Sequence, residues 1–443
     1  MALPILRDDA LTADAAGFVL RVSLPWIRSL PLSSVSDVRV RIDGDECTVE
    51  VPDGDGWWFL QDRIALRGSR PLRVGSHHVV VSFRLLIPYL PGGPDAPLVL
   101  DFRDERQVEA TGGAPWTLAA SAFNWTPEVL RAERPATDIA VGIVATGIAP
   151  VVELEPGQLW RSYPGTSSVE AVDLRERIAA AGGRVGIVGA SLDDWLSPTR
   201  RRDDDERYDF LLPQFRTAQD LGAEGVRLPI GQAGPALLRR LQPVLHELGL
   251  TLYEEVQGQQ TPDAPHVAHA LDDIVALDDA RIRLLVDTSM FMPALPVTYL
   301  AALAPSIPRP LLERLTVAWL EPETLDAVAS HLRSGAVPPT SMALYMDLLV
   351  RFGRSPVGVV REILPLVGGF HLKFWDLDDA DGRVSQPLRD LGALLRDAAP
   401  AFDGILCSEW GGHEWLDADP AEQTRAHLAL AGASLGDPQR SIL

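Results

Sequence analysis

Four short apolar stretches each end in a side chain that can bind a cation: Glu254 and Glu255 in LYEEVQG, Asp287 in LLVDTS, His371 in GFHLKFW and Glu409 in LCSEWGG. A carboxylate among Val, Leu and Ile is costly to bury unless it is paired or bound to a cation. Three carboxylates and one imidazole around a single divalent ion remove that cost together. The oxygen-rich set suits Mn²⁺ or Mg²⁺ better than a structural zinc, with Co²⁺, Fe²⁺ and Zn²⁺ as substitutes. Side chains alternate along a strand, so only one of Glu254 and Glu255 can face the others. Glu255 is the choice, because Gln257 then shares its face. Each acid taken alone reads equally well as a cap or surface group just past a strand; the recurrence in successive motifs favours a metal set of Glu255, Asp287, His371 and Glu409.

Of the 40 basic residues 39 are arginine, and Lys373 is the sole lysine. It follows His371 by two positions, so both side chains project to one face, and Trp375 continues the series. An ammonium beside the metal can hold a carbonyl oxygen or stabilise an enolate; the plainer alternative is an ion pair with a ligand carboxylate. His413, in SEWGGHEW, titrates near neutral pH and is a candidate for proton transfer, or a loop histidine with a hydrogen-bonding role. Arg227 in VRLPIGQ, Asp194 in SLDDW, and Gln257, Gln259 and Gln260 in QGQQ also fall at or past strand ends. Polar groups interleaved with Trp195, Trp375, Trp410 and Trp415 suit a sugar, whose hydroxyls take hydrogen bonds and whose C–H face stacks on indole. Arg227, Gln257, Trp375 and Trp410 are the substrate-binding candidates, and part of the tryptophan set is packing.

The elements that must position these groups are short apolar strands alternating with helical stretches. The strands are at 184–192, 224–231, 250–258, 282–290, 369–377 and 403–412, and segments such as LLRRLQPVLHELGL and HVAHALDDIVAL lie between them. Strand and helix alternating over roughly 300 residues predict an α/β TIM-type (β/α)8 barrel, with all strand ends on the face where active sites form. The segment DIAVGIVA is expected to supply the first strand, and LTVAWLEP is a weak candidate for the strand missing between Met292 and Gly368. The region from Gly17 to Phe102 is strand-like instead. DVRVRIDGDECTVEV alternates about Asp43 and Gly44 as a hairpin, and HHVVVSFRLLIPYL reads as a buried strand, so a small β-sandwich is expected. Trp57 and Trp58 read as core or interface, and the adjacent His77 and His78 point to opposite faces and cannot share a metal. Residues 103–135 look like a joint, giving a sandwich domain over 1–130 and a barrel over 131–443.

Composition narrows the partners. The chain of 443 residues carries a formal charge of −21, which repels phosphate backbones and anionic lipids. The apolar run from Ile139 to Val152 is broken by Gly142, Gly147 and Pro150 and falls short of a membrane span. Asp8, Asp9 and Asp14 occupy the place of a signal-peptide core, and only Cys47 and Cys407 are cysteines, so cytoplasmic location is the expectation, with no nucleic-acid or membrane partner. There is no G-x-G-x-x-G fingerprint, hence no expected NAD.

LYEEVQGQQTP, LLVDTSMFMPALPVTYL, FHLKFWDLDDADGRVS and LCSEWGGHEW resemble the xylose-isomerase-like barrels of the sugar-phosphate isomerase and epimerase superfamily. Within it they resemble most the large subunit of the bacterial C-glycoside deglycosidases. SLPLSSVSDVRVRIDG and WWFLQDRIAL are similar to the small β-sandwich subunit of the same enzymes. The resemblance implies a fusion of the two, with the metal set Glu, Asp, His, Glu falling on Glu255, Asp287, His371 and Glu409. It also implies a lyase reaction on a glycoside already oxidised at sugar C3 by a separate dehydrogenase. Metal, most suitably Mn²⁺, and Lys373 would hold the 3-oxo group, Glu255 or Glu409 would take the C2 proton, and His413 would protonate the departing aglycone. C- and O-glycosides both fit. The same machinery would run a sugar isomerisation or 3-epimerisation, and a non-catalytic carbohydrate-binding protein is the remaining alternative. Homo-oligomerisation stays open.

Overall fold

The computed structural model describes residues 4–14, 17–52, 56–60, 62–73, 75–93, 96–112, 116–398 and 402–436. The chain divides into two compact units, the first ending at Pro115 and the second running from Trp116 to Gly436.

In the first unit seven strands form one sheet in the order Asp45–Cys47, Val35–Ile42, Gly75–Gly93, Ala96–Gly112, Leu11–Asp14, Gly17–Ser23, Arg63–Gly68. The expected hairpin turns at Asp43 and Gly44, whose φ values of 54° and 88° suit an Asp-Gly step. Alternate residues Val79, Val81, Phe83 and Leu85 share one apolar cluster with Phe18, Leu20 and Val22 from the other end of the sheet, so the sheet folds over a single core. Trp58 packs into that core against Phe83, while Trp57 is 51% exposed. His77 bonds Asp43 and His78 bonds Glu105, on opposite faces as alternation requires.

The second unit is a closed barrel of eight parallel strands: β1 (Thr117–Ser121), β2 (Val151–Leu154), β3 (Arg184–Gly189), β4 (Gly225–Pro229), β5 (Thr251–Val256), β6 (Ile282–Asp287), β7 (Val367–Phe374) and β8 (Ile405–Trp410). Pairing of β1 with β8 closes it. Ala119, Val151, Ile187, Tyr253, Leu285, Ile405 and Cys407 fill the interior below the C-terminal mouth. The intervening helices follow ordinary local rules. Asp203 and Glu206 form a capping box on Asp204–Asp220, and Gly249 in the left-handed region ends Gly234–Leu248, which buries Leu237, Leu238, Leu241, Val244 and Leu245 along one stripe.

Two expected strands are helices instead. DIAVGIVA lies in Ala136–Ala145 and buries Ile139, Ala140, Ile143 and Val144, a helical spacing. LTVAWLEP begins inside helix Arg309–Val317, where Leu311 and Leu315 sit one turn apart. The first barrel strand is TLAAS, so the second unit starts before the expected boundary at 131; the joint of 103–135 contains the end of a long strand and all of β1, with residues 113–115 outside the described set. Residues 288–366, between β6 and β7, form a helical excursion with its own core of Tyr299, Leu303, Leu315, Tyr345 and Phe352. Among the described residues no helix is long and apolar enough to cross a membrane.

The excursion is pinned to the barrel mouth by backbone. Gly353 N–H donates to Ser289 O at 2.7 Å, and a Cβ on Gly353 would lie 2.4 Å from Gly258 O. At Gly258, φ is +57° and a Cβ would lie 2.1 Å from Val350 O. Gly335 has a similar φ of +69° with open space around it. Gly335→Ala should therefore cost about 1–2 kcal/mol for the left-handed backbone alone, and Gly258→Ala about 3 kcal/mol or more because overpacking adds to it. Urea unfolding of the two variants checks the order; equal losses would contradict the close approach.

Candidate metal centre

Inward-facing positions on six strands converge at the mouth: Glu153 on β2, Arg227 on β4, Glu255 on β5, Asp287 on β6, His371 and Lys373 on β7, and Glu409 on β8. One ligand atom from each of Glu255, Asp287, His371 and Glu409 lies within 4.8 Å of the others, and all four residues are buried. His371 Nδ1 is 2.8 Å from Glu255 Oε1, 3.0 Å from Glu409 Oε2 and 4.0 Å from Asp287 Oδ2. None of these ion-pair contacts has hydrogen-bond geometry, so Nδ1 is a buried nitrogen without a hydrogen-bond partner. Donor atoms around a small divalent cation bound at about 2.1 Å lie up to about 4.2 Å apart across the ion. An unpartnered imidazole nitrogen facing three carboxylates therefore fits a divalent cation.

The second carboxylate oxygens are held from outside. Asp287 Oδ1 accepts from Ser289 N at 2.6 Å, and Glu255 Oε2 accepts from Arg227 at 2.8 Å. Arg227 also bonds Glu153 at 3.0 Å and Glu155 at 2.6 Å. Lys373 Nζ is 3.1 Å from Glu409 Oε2, which follows from their direct pairing in register across β7 and β8. Burial works against ionisation throughout, and the neighbours decide the outcome. Lys373 and then His371 hold Glu409 well below the usual carboxylate range, whereas burial pushes Asp287 up to about 6. Burial, reinforced by Glu153, pushes Glu155 up to about 7 despite Arg227.

Glu254 points to the outer side of β5, where Gly231 N donates to it at 2.9 Å, so Glu255 is the inward member of the pair. His413 stands at the mouth with its ring 5.0 Å from Phe123 and 5.7 Å from Trp410. Its Nε2 is buried and unpartnered, and burial lowers its pKa below the ordinary imidazole value. Lys373 Nζ lies 5.5 Å from the centre of the same Phe123 ring, which puts the ammonium and the imidazole on one side of the site.

Several expected sugar contacts go elsewhere. Trp375 is buried against Phe352 at 4.8 Å, because the strand ends at Phe374 and alternation stops there. Trp410 follows the inward Glu409 and so faces outward; it is fully buried, donating from Nε1 to Trp375 O at 2.9 Å. Arg227 spends its guanidinium on three carboxylates. Asp194 pairs with Arg207 at 3.1 Å, and Trp195 is exposed beneath Arg201. Gln257 N–H bonds the side chain of Gln260, Gln259 bonds Phe352 O, and Trp415 Nε1 donates to Thr298 Oγ1. Glu153 and Glu155 escaped the sequence reading. The signal was present in VVELEP, where two glutamates at alternate positions close a short apolar strand before a proline.

No family model matches the chain. Among curated proteins it is 26% identical over 332 residues to the C-glycoside deglycosidase alpha subunit of Arthrobacter globiformis, covering 73% of this chain and 93% of that protein. It is 25% identical to the 3'-dehydrocarminate deglycosidase alpha subunit of a Microbacterium species, covering 68% and 90%. The beta subunit of the latter is 30% identical over 122 residues, covering 24% of this chain and 92% of that subunit. Among solved structures, D-psicose 3-epimerase aligns over 72% of this chain and 99% of its own with 14% identity and a TM-score of 0.45. Relatives of both subunit types are thus matched by one polypeptide, in shares close to those of its barrel and its N-terminal unit. The chain is an enzyme of the C-glycoside deglycosidase family.

Proposed function

We propose that the chain cleaves 3-oxo-glycosides, C-glycosides first, by removing the C2 proton and eliminating the aglycone from C1, with a divalent cation held by Glu255, Asp287, His371 and Glu409. The observation that carries the metal is the buried, unpartnered His371 Nδ1 facing three carboxylates. The choice of substrate class is supported by the deglycosidase relatives. When bound, the cation, most suitably Mn²⁺, supplies positive charge to the 3-oxo oxygen and so acidifies the neighbouring C–H.

The chain's own groups divide the remaining work. The Lys373 ammonium, the sole lysine, can donate to the same oxygen as charge develops on it. Glu255 or Glu409 takes the C2 proton. The electron pair left at C2 forms the C1=C2 double bond, the bond from C1 to the aglycone breaks, and the aglycone leaves with that pair. His413, whose buried Nε2 has no hydrogen-bond partner, passes a proton from its imidazolium form to the departing carbon or oxygen and regains one from solvent; burial lowers its pKa, which makes that proton easier to give up. The products are an enone sugar and the protonated aglycone, with no net redox change and no nicotinamide. A sugar 3-dehydrogenase must supply the ketone. Cys47 and Cys407 are free thiols, in keeping with a cytoplasmic enzyme.

Protein purified without chelator should carry one divalent ion per chain by elemental analysis, and His371→Ala should lose it. Incubated with Mn²⁺, the enzyme should release aglycone from a 3-oxo-C-glucoside and none from the unoxidised parent. Epimerised or isomerised sugar without aglycone release would overturn the elimination reading. Lys373→Met should lower kcat by about 10²–10³-fold with the metal retained. His413→Gln should slow a C-glycoside by about 10²-fold yet leave a 3-oxo nitrophenyl O-glycoside, whose leaving group needs no proton, nearly unchanged; equal losses on both would remove His413 from the proton-donor role.

A further inference from the structure

Neither Glu153 nor Arg227 belongs to the four residues assigned to the cation, yet each bonds a member of that set. An imidazole ligates through the nitrogen that keeps a lone pair, and the partner of the other nitrogen decides which one that is. His371 Nε2 lies 2.8 Å from Glu153 Oε2, and Nδ1, on the side of Glu255, Asp287 and Glu409, has no hydrogen-bond partner. A carboxylate on Nε2 keeps the ring proton there and leaves the lone pair on Nδ1. Glu153 is itself fixed, being 1% exposed with its other oxygen bonded to Arg227 Nε at 3.0 Å. The same guanidinium holds Glu255 Oε2 at 2.8 Å, which turns Glu255 Oε1 toward Nδ1.

We propose that Glu153 is a positioning residue for the metal. Locked by Arg227, it holds His371 in the tautomer whose Nδ1 can ligate, so cation affinity depends on a carboxylate that does not touch the cation. The inference rests on the metal reading given above. Outer partners of a ligating histidine are worth about 10–100-fold in metal affinity. Cys407 supplies a control, since its Sγ lies in the same buried cluster with Glu153 and His371 but is only a weak hydrogen-bonding group.

The test is calorimetric titration of the chelator-stripped full chain with Mn²⁺. Glu153→Ala should bind about 10–100-fold more weakly than the parent. Glu153→Gln, whose amide oxygen still accepts from Nε2–H, should recover most of the loss, and Cys407→Ala should stay within about threefold of the parent. In the Zn²⁺-loaded protein the ¹⁵N spectrum should show His371 protonated at Nε2 in the parent and in Glu153→Gln. Glu153→Ala binding as the parent does, or Cys407→Ala falling as far as Glu153→Ala, overturns the proposal. If Glu153→Ala does not fold, the ¹⁵N spectrum of Glu153→Gln decides, because loss of the Nε2 proton or ligation through Nε2 contradicts it. A parent chain that takes up no Mn²⁺ sinks the metal reading and this inference together; a parent that binds while Glu153→Ala is unaffected sinks this inference alone.

Discussion

Five carboxylates, those of Glu153, Glu155, Glu255, Asp287 and Glu409, share the mouth of one barrel with the cations Arg227 and Lys373 and the imidazole of His371. Like charges at this density in a low-dielectric interior repel strongly. Every other feature of the site answers that repulsion. Arg227 gathers three of the acids on one side, Lys373 meets a fourth on the other, and the gap between them is where His371 Nδ1 stands unpartnered. Two of the acids show the strain. Burial pushes Asp287 up to about 6, and it raises Glu155 to about 7 even beside Arg227.

The barrel solves the geometric half of the problem with alternation. Inward positions on successive strands build layers, apolar below and charged above, and a shift of one residue would turn the acids outward, as Glu254 already is. The mouth is framed by a helical excursion whose attachment is mostly backbone. Asp287 sits one peptide before the segment that carries Ser289, and Ser289 bonds both Gly258 N and Gly353 N. The ends of β5 and β6, which bear Glu255 and Asp287, are therefore tied to the excursion through close glycine contacts that tolerate no side chain. Placement of these two carboxylates and order in that segment are one structural property.

The sequence was most informative where period and chemistry coincided. Six barrel strands were legible because Val, Ile and Leu alternate or run together before a polar residue, and the four residues of the metal set stand at such ends. TLAAS was invisible because alanines carry little strand preference, and VVEL because it is short and follows a helix that reads as the more apolar segment. Missing VVEL hid Glu153 and Glu155, whose chemistry shows only once the strand is placed opposite Arg227. Trp410, expected to contact substrate, neighbours an inward glutamate, and parity alone turns it outward. Parity does not settle Trp375, because the end of a strand by one residue depends on tertiary contacts. The position of His413, with its ring 5.0 Å from Phe123, is a tertiary contact that no local pattern encodes.

The arginine-rich composition leaves one further consequence at Lys373. Amine-selective acylating reagents find a single side chain in the whole chain besides the terminal amine, and that side chain is 8% exposed beside Glu409. Covalent tagging of surface lysines, the usual route to fluorophores, resins and crosslinks, has no target on this protein. An acyl group that does reach an ε-amine reports by its mere presence that the barrel mouth was open to it, which makes a one-site mass shift a gauge of access to the charged cluster there.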